Sequence, residues 1–303
     1  MSGSNQLLQI NASDAHWRAF VDSAPQANIF HHPAWSDLLA TCYGYRPFVI
    51  ALLDDENHIS AGLPVMAINS YLTGRRWVSL PFSDYCLPLY KDQDSFERLT
   101  QKLVSLYQQE KIPRVEMRWE LPSHPLIQYE FAYFLHKLDL NRDAEAILKN
   151  IHRTQRQNIH TAEKNGVQVE WGNQLVQLRE FYRLHCMTRR RQGIPVQPWR
   201  FFELLLKEVI EKGLGFILLA YAQGECLAAG IFLHWQKTLT YKYAASSDAG
   251  QSLRPNHLLT WTAIRWGCEH GYDIFDLGRT EVTNEGLRTF KNRWGVQETP
   301  LIY

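Results

Sequence analysis

Helical and alternating spacings of apolar side chains take turns along this chain. Phe96, Leu99, Leu103 and Leu106 recur at intervals of three and four, which predicts a helix over 95–110 with one buried stripe. Before it, apolar residues at 7–10 suggest a short strand, and helices are expected near 14–21 and 33–42. Pro33 suits the first turn of the second helix, because the N–H that proline lacks has no partner there anyway. Runs at 48–53, 59–68 and 76–80 read as strands, as do 114–119 and 129–138 after the long helix.

The second half repeats this order. Residues 166–171 read as a strand, 175–191 and 199–212 as helices, the latter stopped by Gly213. Strands follow at 216–221, 227–235 and 239–246, then a helix over 257–270 that ends at Gly271. A strand at 272–275, a short helix at 285–292 and a last strand at 296–302 complete the chain. Each half is thus strand, two helices, three strands, helix, strand, connection and strand. One long helix, about 143–165, is expected to join them.

Composition narrows the class without choosing a function. The chain has 303 residues, 45% of them hydrophobic and 21% charged, which is ordinary for a globular protein with room for two domains. A net charge of +1 gives no global attraction to nucleic acid or membrane. From Lys149 to Arg191, however, nine basic residues face three acidic ones. Five scattered cysteines without a Cys-x-x-Cys pair suit reduced thiols better than disulfides or a zinc site. The first residues carry no basic region followed by an apolar run, and no apolar stretch approaches the roughly 18–20 residues of a membrane span. These features predict a cytoplasmic protein. Metalloprotease, serine-hydrolase and Walker-type phosphate motifs are all absent from the sequence.

Several segments together carry a family resemblance. They are Ile147-Leu-Lys-Asn-Ile-His-Arg-Thr-Gln-Arg-Gln-Asn-Ile159, Leu227-Ala-Ala-Gly230, Asn256-His-Leu-Leu-Thr-Trp261, Phe275-Asp-Leu-Gly-Arg279 and Phe290-Lys-Asn-Arg-Trp-Gly295. With the repeated element order, they resemble the Fem family, whose members carry two GNAT acyltransferase folds in tandem. The resemblance implies an α/β protein with mixed sheets. Its N-terminal domain would occupy 1–142, with 297–303 returning to complete it, and its C-terminal domain 143–296. It also implies an acyl or aminoacyl transferase acting on an amine or hydroxyl of a cell-envelope or polysaccharide precursor. Fem-type transferases take aminoacyl groups from tRNA and extend peptidoglycan peptides; related branches are linked to exopolysaccharides. The donor is therefore either aminoacyl-tRNA or acyl-coenzyme A or an acyl carrier, with no permanently bound cofactor and no metal. This chain has no long helical hairpin of the kind several members use as a tRNA arm. A non-catalytic binding module that keeps the double fold is the alternative.

Candidate residues follow. Lys291, after the apolar Phe290, is the leading catalytic residue: its ammonium suits the oxyanion of a tetrahedral intermediate, and the resemblance implies a lysine at this place. An ordinary solvated helix lysine is the competing assignment. Asp276 and Arg279, three apart across Gly278, either pair at a strand end or line an acceptor cleft, with Asp276 a candidate base. In the segment from Ser252 to Leu259, GNAT proteins carry a glycine-rich pyrophosphate loop; here Arg254, Pro255 and Asn256 stand instead, and Asn256 either caps the helix or binds substrate. Lys149, Arg153, Arg156 and His160 would share one face of the 143–165 helix, a stripe for phosphates or simply a solvated face. Asp84 and Tyr85 mark a polar aromatic loop suited to an acceptor. Tyr241 and Tyr243, flanking Lys242, would share a strand face toward the cleft or the core.

Overall fold

The computed structural model describes residues 7–70, 74–141 and 143–303, and the chain divides into two units, Met1–Tyr133 with Pro300–Tyr303 and Phe134–Thr299.

In the first unit, strands β1 (Leu7–Ile10), β2 (Arg46–Leu53), β3 (Ile59–Ser70), β4 (Gly74–Ser79) and β6 (Val115–Met117) lie side by side in that order, with β5 (Leu89–Tyr90) on β3. Pairing is antiparallel from β1 to β4 and parallel between β4 and β6. Helix α1 (Ala15–Ser23) starts where the Asp14 carboxylate accepts from the amides of His16 and Trp17. Helix α2 (Pro33–Tyr43) has Pro33 in its first turn and ends at the left-handed Gly44. Helix α3 (Gln93–Glu110), capped by Asp92, buries the stripe of Phe96, Leu99 and Leu103 and bridges the parallel strands β4 and β6.

The second unit holds most of a seven-stranded sheet in the order β13 (Gln297–Ile302), β7 (Phe131–Asp139), β12 (Ile274–Glu281), β11 (Thr238–Ser246), β10 (Glu225–Trp235), β9 (Gly215–Ala222) and β8 (Gln168–Gly172). One face packs on α4 (Ala144–Asn150), α5 (Arg153–Lys164) and α8 (Pro255–Glu269), around Ile147, Ile159, Leu218, Phe232, Leu259, Phe275 and Trp294. The other face meets α6 (Leu175–Gln192) and α7 (Trp199–Leu205), where Phe181, Phe201 and Phe202 are fully buried. Gly230 lies at the centre of the first face. A Cβ there would stand 2.9 Å from the Tyr241 ring and 3.1 Å from Leu259, so α8 approaches the sheet across a residue without a side chain.

Four expectations change or sharpen. The single helix over 143–165 is two: Ile151 is extended (φ −66°, ψ 156°) with its side chain buried, and His152 caps α5 by accepting from the Thr154 amide. The strand expected at 272–275 runs on as β12 to Glu281, so Asp276 lies inside it. The last strand pairs with β7, and its final residues, Pro300–Tyr303, fall with the first unit. Residues 134–142, assigned above to the first domain, belong to the second unit, because β7 lies between β12 and β13. The helix starting at Trp199 also loosens into a π-helical stretch, Leu206–Leu214, within which Gly213 turns left-handed.

Candidate active site

Strands β11 and β12 are parallel, and they pair only from Thr238 to Thr240 against Ile274 to Asp276. Beyond Asp276 both continue without pairing to each other, so a crevice opens at their carboxyl ends, where open sheets bind ligands. The cause lies on the far edge of β11. Against β10, Ile231 pairs with Tyr243 and Phe232 with Tyr241, so Lys242 is an extra residue, a β-bulge that bends the strand.

The bulge also corrects the expectation for the two tyrosines. Tyr241 stacks on Phe232 at 4.4 Å within the core beneath α8, whereas Tyr243 packs among Phe181, His185 and Phe202 beneath α6 and α7. They occupy opposite faces. Burial pushes the Tyr241 phenol up from its ordinary pKa.

Just past the last paired residue, β12 bends. Gly278 has φ +69°, and the Asp276 carboxylate, 1% exposed, accepts from the Gly278 amide at 2.7 Å. In a regular strand, successive carbonyls point to opposite edges. Here the left-handed turn lets two of them reach one donor: Lys291, on α9 (Glu285–Asn292), places its ammonium 3.0 Å from the Gly278 oxygen and 3.0 Å from the Arg279 oxygen. Lys291 is 7% exposed, so it is not a solvated helix lysine. Its helix is capped by Asn284, whose side chain accepts from the Leu287 amide. Arg279 is half-buried on the same bend.

A histidine that the sequence did not single out lies near this lysine. His136, on β7, is wholly buried beside Asn292 and Glu298. Glu298 Oε2 stands 3.7 Å from its Nδ1. The carboxylate is already occupied: Arg288 forks onto both oxygens (3.2 and 2.7 Å) and Asn292 donates at 3.0 Å. Burial, then the Lys291 charge, draws the His136 pKa down to about 4, so the ring is neutral near pH 7. Within an apolar strand pattern one histidine carries no signal; only the fold brings it to Lys291.

At the start of α8, Arg254 is the left-handed cap residue (φ 59°) and Pro255 occupies the first turn. Asn256 does not cap the helix; its carbonyl accepts from the Thr260 hydroxyl. The neighbouring His257 bonds to Asn158 of α5 at 3.0 Å and lies against Phe290, the residue before Lys291.

The expected basic stripe is broken with its helix. Arg156 donates to the carbonyls of Lys149 and Ile151, closing the C-terminal end of α4, while Arg153 is exposed in the first turn of α5. Lys149 and His160 are exposed on separate helices.

In the first unit, the loop after β4 carries Asp84 and Tyr85. Tyr85 is 2% exposed and packs edge-on to Phe30 and against Trp119, so it is a core residue rather than a ligand contact. Asp84 is half-buried, and its carbonyl accepts from the Tyr303 hydroxyl. Arg118 donates to the carbonyl of neighbouring Ser83 and lies over the Tyr303 ring. The five cysteines are all free thiols.

Comparison with known proteins bears on the fold. Residues 149–292 match the family model of an acetyltransferase (GNAT) domain. Over 170 residues, 55% of the chain, the sequence is 28% identical to the UDP-N-acetylmuramoylpentapeptide-lysine N(6)-alanyltransferase of Weissella viridescens. The match spans 50% of that protein, so the chain spans about half the length of this curated relative. Among solved structures, FemX superposes with a TM-score of 0.72 over 98% of this chain and 97% of its own, at 15% identity. A tandem GNAT protein from the clavulanic acid biosynthesis pathway superposes with a TM-score of 0.59 over 98% and 97%, at 9% identity. At such identities the superpositions speak for the fold alone. Residues 149–292 thus resemble the GNAT acetyltransferases, and the chain as a whole has the fold of FemX and of the tandem GNAT protein.

Proposed function

We propose that this protein transfers an activated aminoacyl or acyl group to an amine of a peptidoglycan-type precursor, as the name of its alanyltransferase relative describes for that enzyme. The observation that carries the proposal is the buried Lys291 ammonium, fixed on the bend of β12 where β11 and β12 part.

The acceptor nitrogen attacks the carbonyl carbon of the donor ester or thioester, and a C–N bond forms. The carbonyl oxygen takes up negative charge, and Lys291 lies where a fixed positive charge lowers that barrier. Collapse breaks the C–O or C–S bond, and the departing hydroxyl or thiol leaves with the proton shed by the amine. Asp276 acts through Gly278: its carboxylate fixes the turn that aims two carbonyls at Lys291, a positioning role instead of the base suggested by the sequence. Arg279, Asn256 and Arg254 surround the crevice as donor or acceptor contacts, and Arg153 remains a phosphate contact for the donor. The donor is consumed at each turnover, so the scheme needs no resident cofactor.

Aminoacyl-tRNA is the donor we favour, since Pro255 and Asn256 replace the glycines of a coenzyme A loop. Both donors are cytoplasmic, which places the reaction there; among the described residues no helix is long and apolar enough to cross a membrane. The test incubates the protein and UDP-N-acetylmuramoylpentapeptide with alanyl-tRNA or acetyl-coenzyme A and weighs the product. An alanyl adduct that disappears in Lys291→Met supports the reading. An acetyl adduct changes the donor, and no adduct from either donor refutes the proposal for this acceptor.

A further inference from the structure

At the end of the first unit's sheet where β4 begins, a cavity of about 250 Å³ is lined by Arg46, Arg75 and Arg76, together with Asn69, Trp77 and Glu110. The strand register brings these arginines together. Arg46 pairs across β2 and β3 with Ala67, which pairs in turn with Trp77, while Arg75 faces Asn69 and Arg76 faces Ile68. Arg46 and Arg75 therefore project from one face and Arg76 from the other, all at one end of the sheet. The Arg46 guanidinium is held over the Phe48 ring at 5.0 Å, and Phe48 in turn packs edge-on to Trp77.

None of the three arginines forms an ion pair with a described residue, and neither does Glu110, the one acidic side chain lining the cavity. Arg76 Nε is buried without a hydrogen-bond partner. The cavity lining thus carries three arginines against one carboxylate, a net charge of +2 that an entering anion would offset, and one of its donors is buried without a partner. The fork of a guanidinium matches phosphate oxygens two at a time. The loop carrying Asp84 follows the opposite end of β4, six residues or about 20 Å away at ~3.3 Å per residue.

We infer that this cavity of the first unit is a binding site for a phosphate group. The inference stands whether or not the chain transfers an acyl group. The phosphate can belong to a soluble phosphoryl compound or to an anionic lipid headgroup, and the experiment separates the two.

Wild-type protein, Arg46→Gln/Arg75→Gln and Lys291→Met are titrated calorimetrically with sodium pyrophosphate. They are also sedimented with phosphatidylglycerol or phosphatidylcholine vesicles. Arg46 and Arg75 are exposed, so the double variant keeps its fold, which circular dichroism checks. Saturable pyrophosphate binding, about tenfold or more weaker in the double variant and unchanged in Lys291→Met, identifies a soluble phosphate site. Sedimentation with phosphatidylglycerol alone, lost in the double variant, identifies a lipid headgroup. Equal binding by wild type and double variant, or no binding to pyrophosphate or vesicles, overturns the inference.

Discussion

The Lys291 ammonium donates to the Gly278 carbonyl at 3.0 Å, joining α9 to the strand thirteen residues earlier, and it does so because Gly278 turns left-handed. A second bond to the Arg279 oxygen fixes the charge more tightly than a helix lysine alone would be. Two backbone carbonyls of the bend thus help to set the position of this buried charge.

Lys291→Met keeps a side chain of similar length and removes only the charge and its donors. Transfer should fall roughly 10²–10³-fold. Two carbonyls lose a donor, so the thermal midpoint should also drop by a few degrees, about 1–3 kcal/mol. Initial rates and a melting curve on one preparation separate the two effects; full activity in a folded variant removes Lys291 from the mechanism.

The positioning role of Asp276 separates two substitutions. Asp276→Asn retains an oxygen to accept from the Gly278 amide and should stay within about tenfold of wild type, whereas Asp276→Ala should lose activity together with the turn. An inactive, folded Asp276→Asn would restore the residue as a base. Gly278→Ala tests the same bend from the backbone side, with an expected strain of about 1–3 kcal/mol in urea unfolding.

Most elements were legible because their apolar spacing is unambiguous; α3, α6 and α8 formed where the period of three and four placed them. The break at Ile151 was hidden, because no proline or glycine marks it. It arises from burial of Ile151, from the His152 cap and from Arg156 reaching back to α4, all of which depend on tertiary context. Lys291 was legible through its family motif, but its carbonyl partners lie on another element. His136 was not legible at all, since its importance comes from three neighbours distant in sequence: Lys291, Arg288 and Glu298. The Tyr241 and Tyr243 pair misled because a one-residue bulge leaves no trace in composition.

Arg156 should now behave as a helix cap. Arg156→Ala should lower stability by about 1–3 kcal/mol by urea titration, since charge-assisted bonds to two carbonyls are lost. The salt dependence of polyanion binding should not change. A weaker salt slope with unaltered stability would return Arg156 to the phosphate-binding set.

Acid should destabilise the protein well above the carboxylate range. His31, His136 and His185 are each no more than 1% exposed, and burial draws each pKa down to about 4 from an ordinary 6.5. Below pH 6.5 the unfolded chain binds protons that the folded chain refuses, so stability falls as pH drops from about 6.5 to 4 and is level above 7. Each such group contributes up to roughly 1.4 kcal/mol per pH unit inside that window. A melting temperature constant between pH 4 and 6.5 would contradict this burial.

The bulge at Lys242 is a matter of counting. Deleting that one residue would leave Tyr241 and Tyr243 on their present sides of the sheet, because the extra residue stands between two side chains already on opposite faces. The straightened β11 could then zip onto β12 past Asp276. Whether this sheet is an open jaw or a closed wall therefore turns on a single codon, and a chain shortened there should fold and melt normally while leaving a ligand no door.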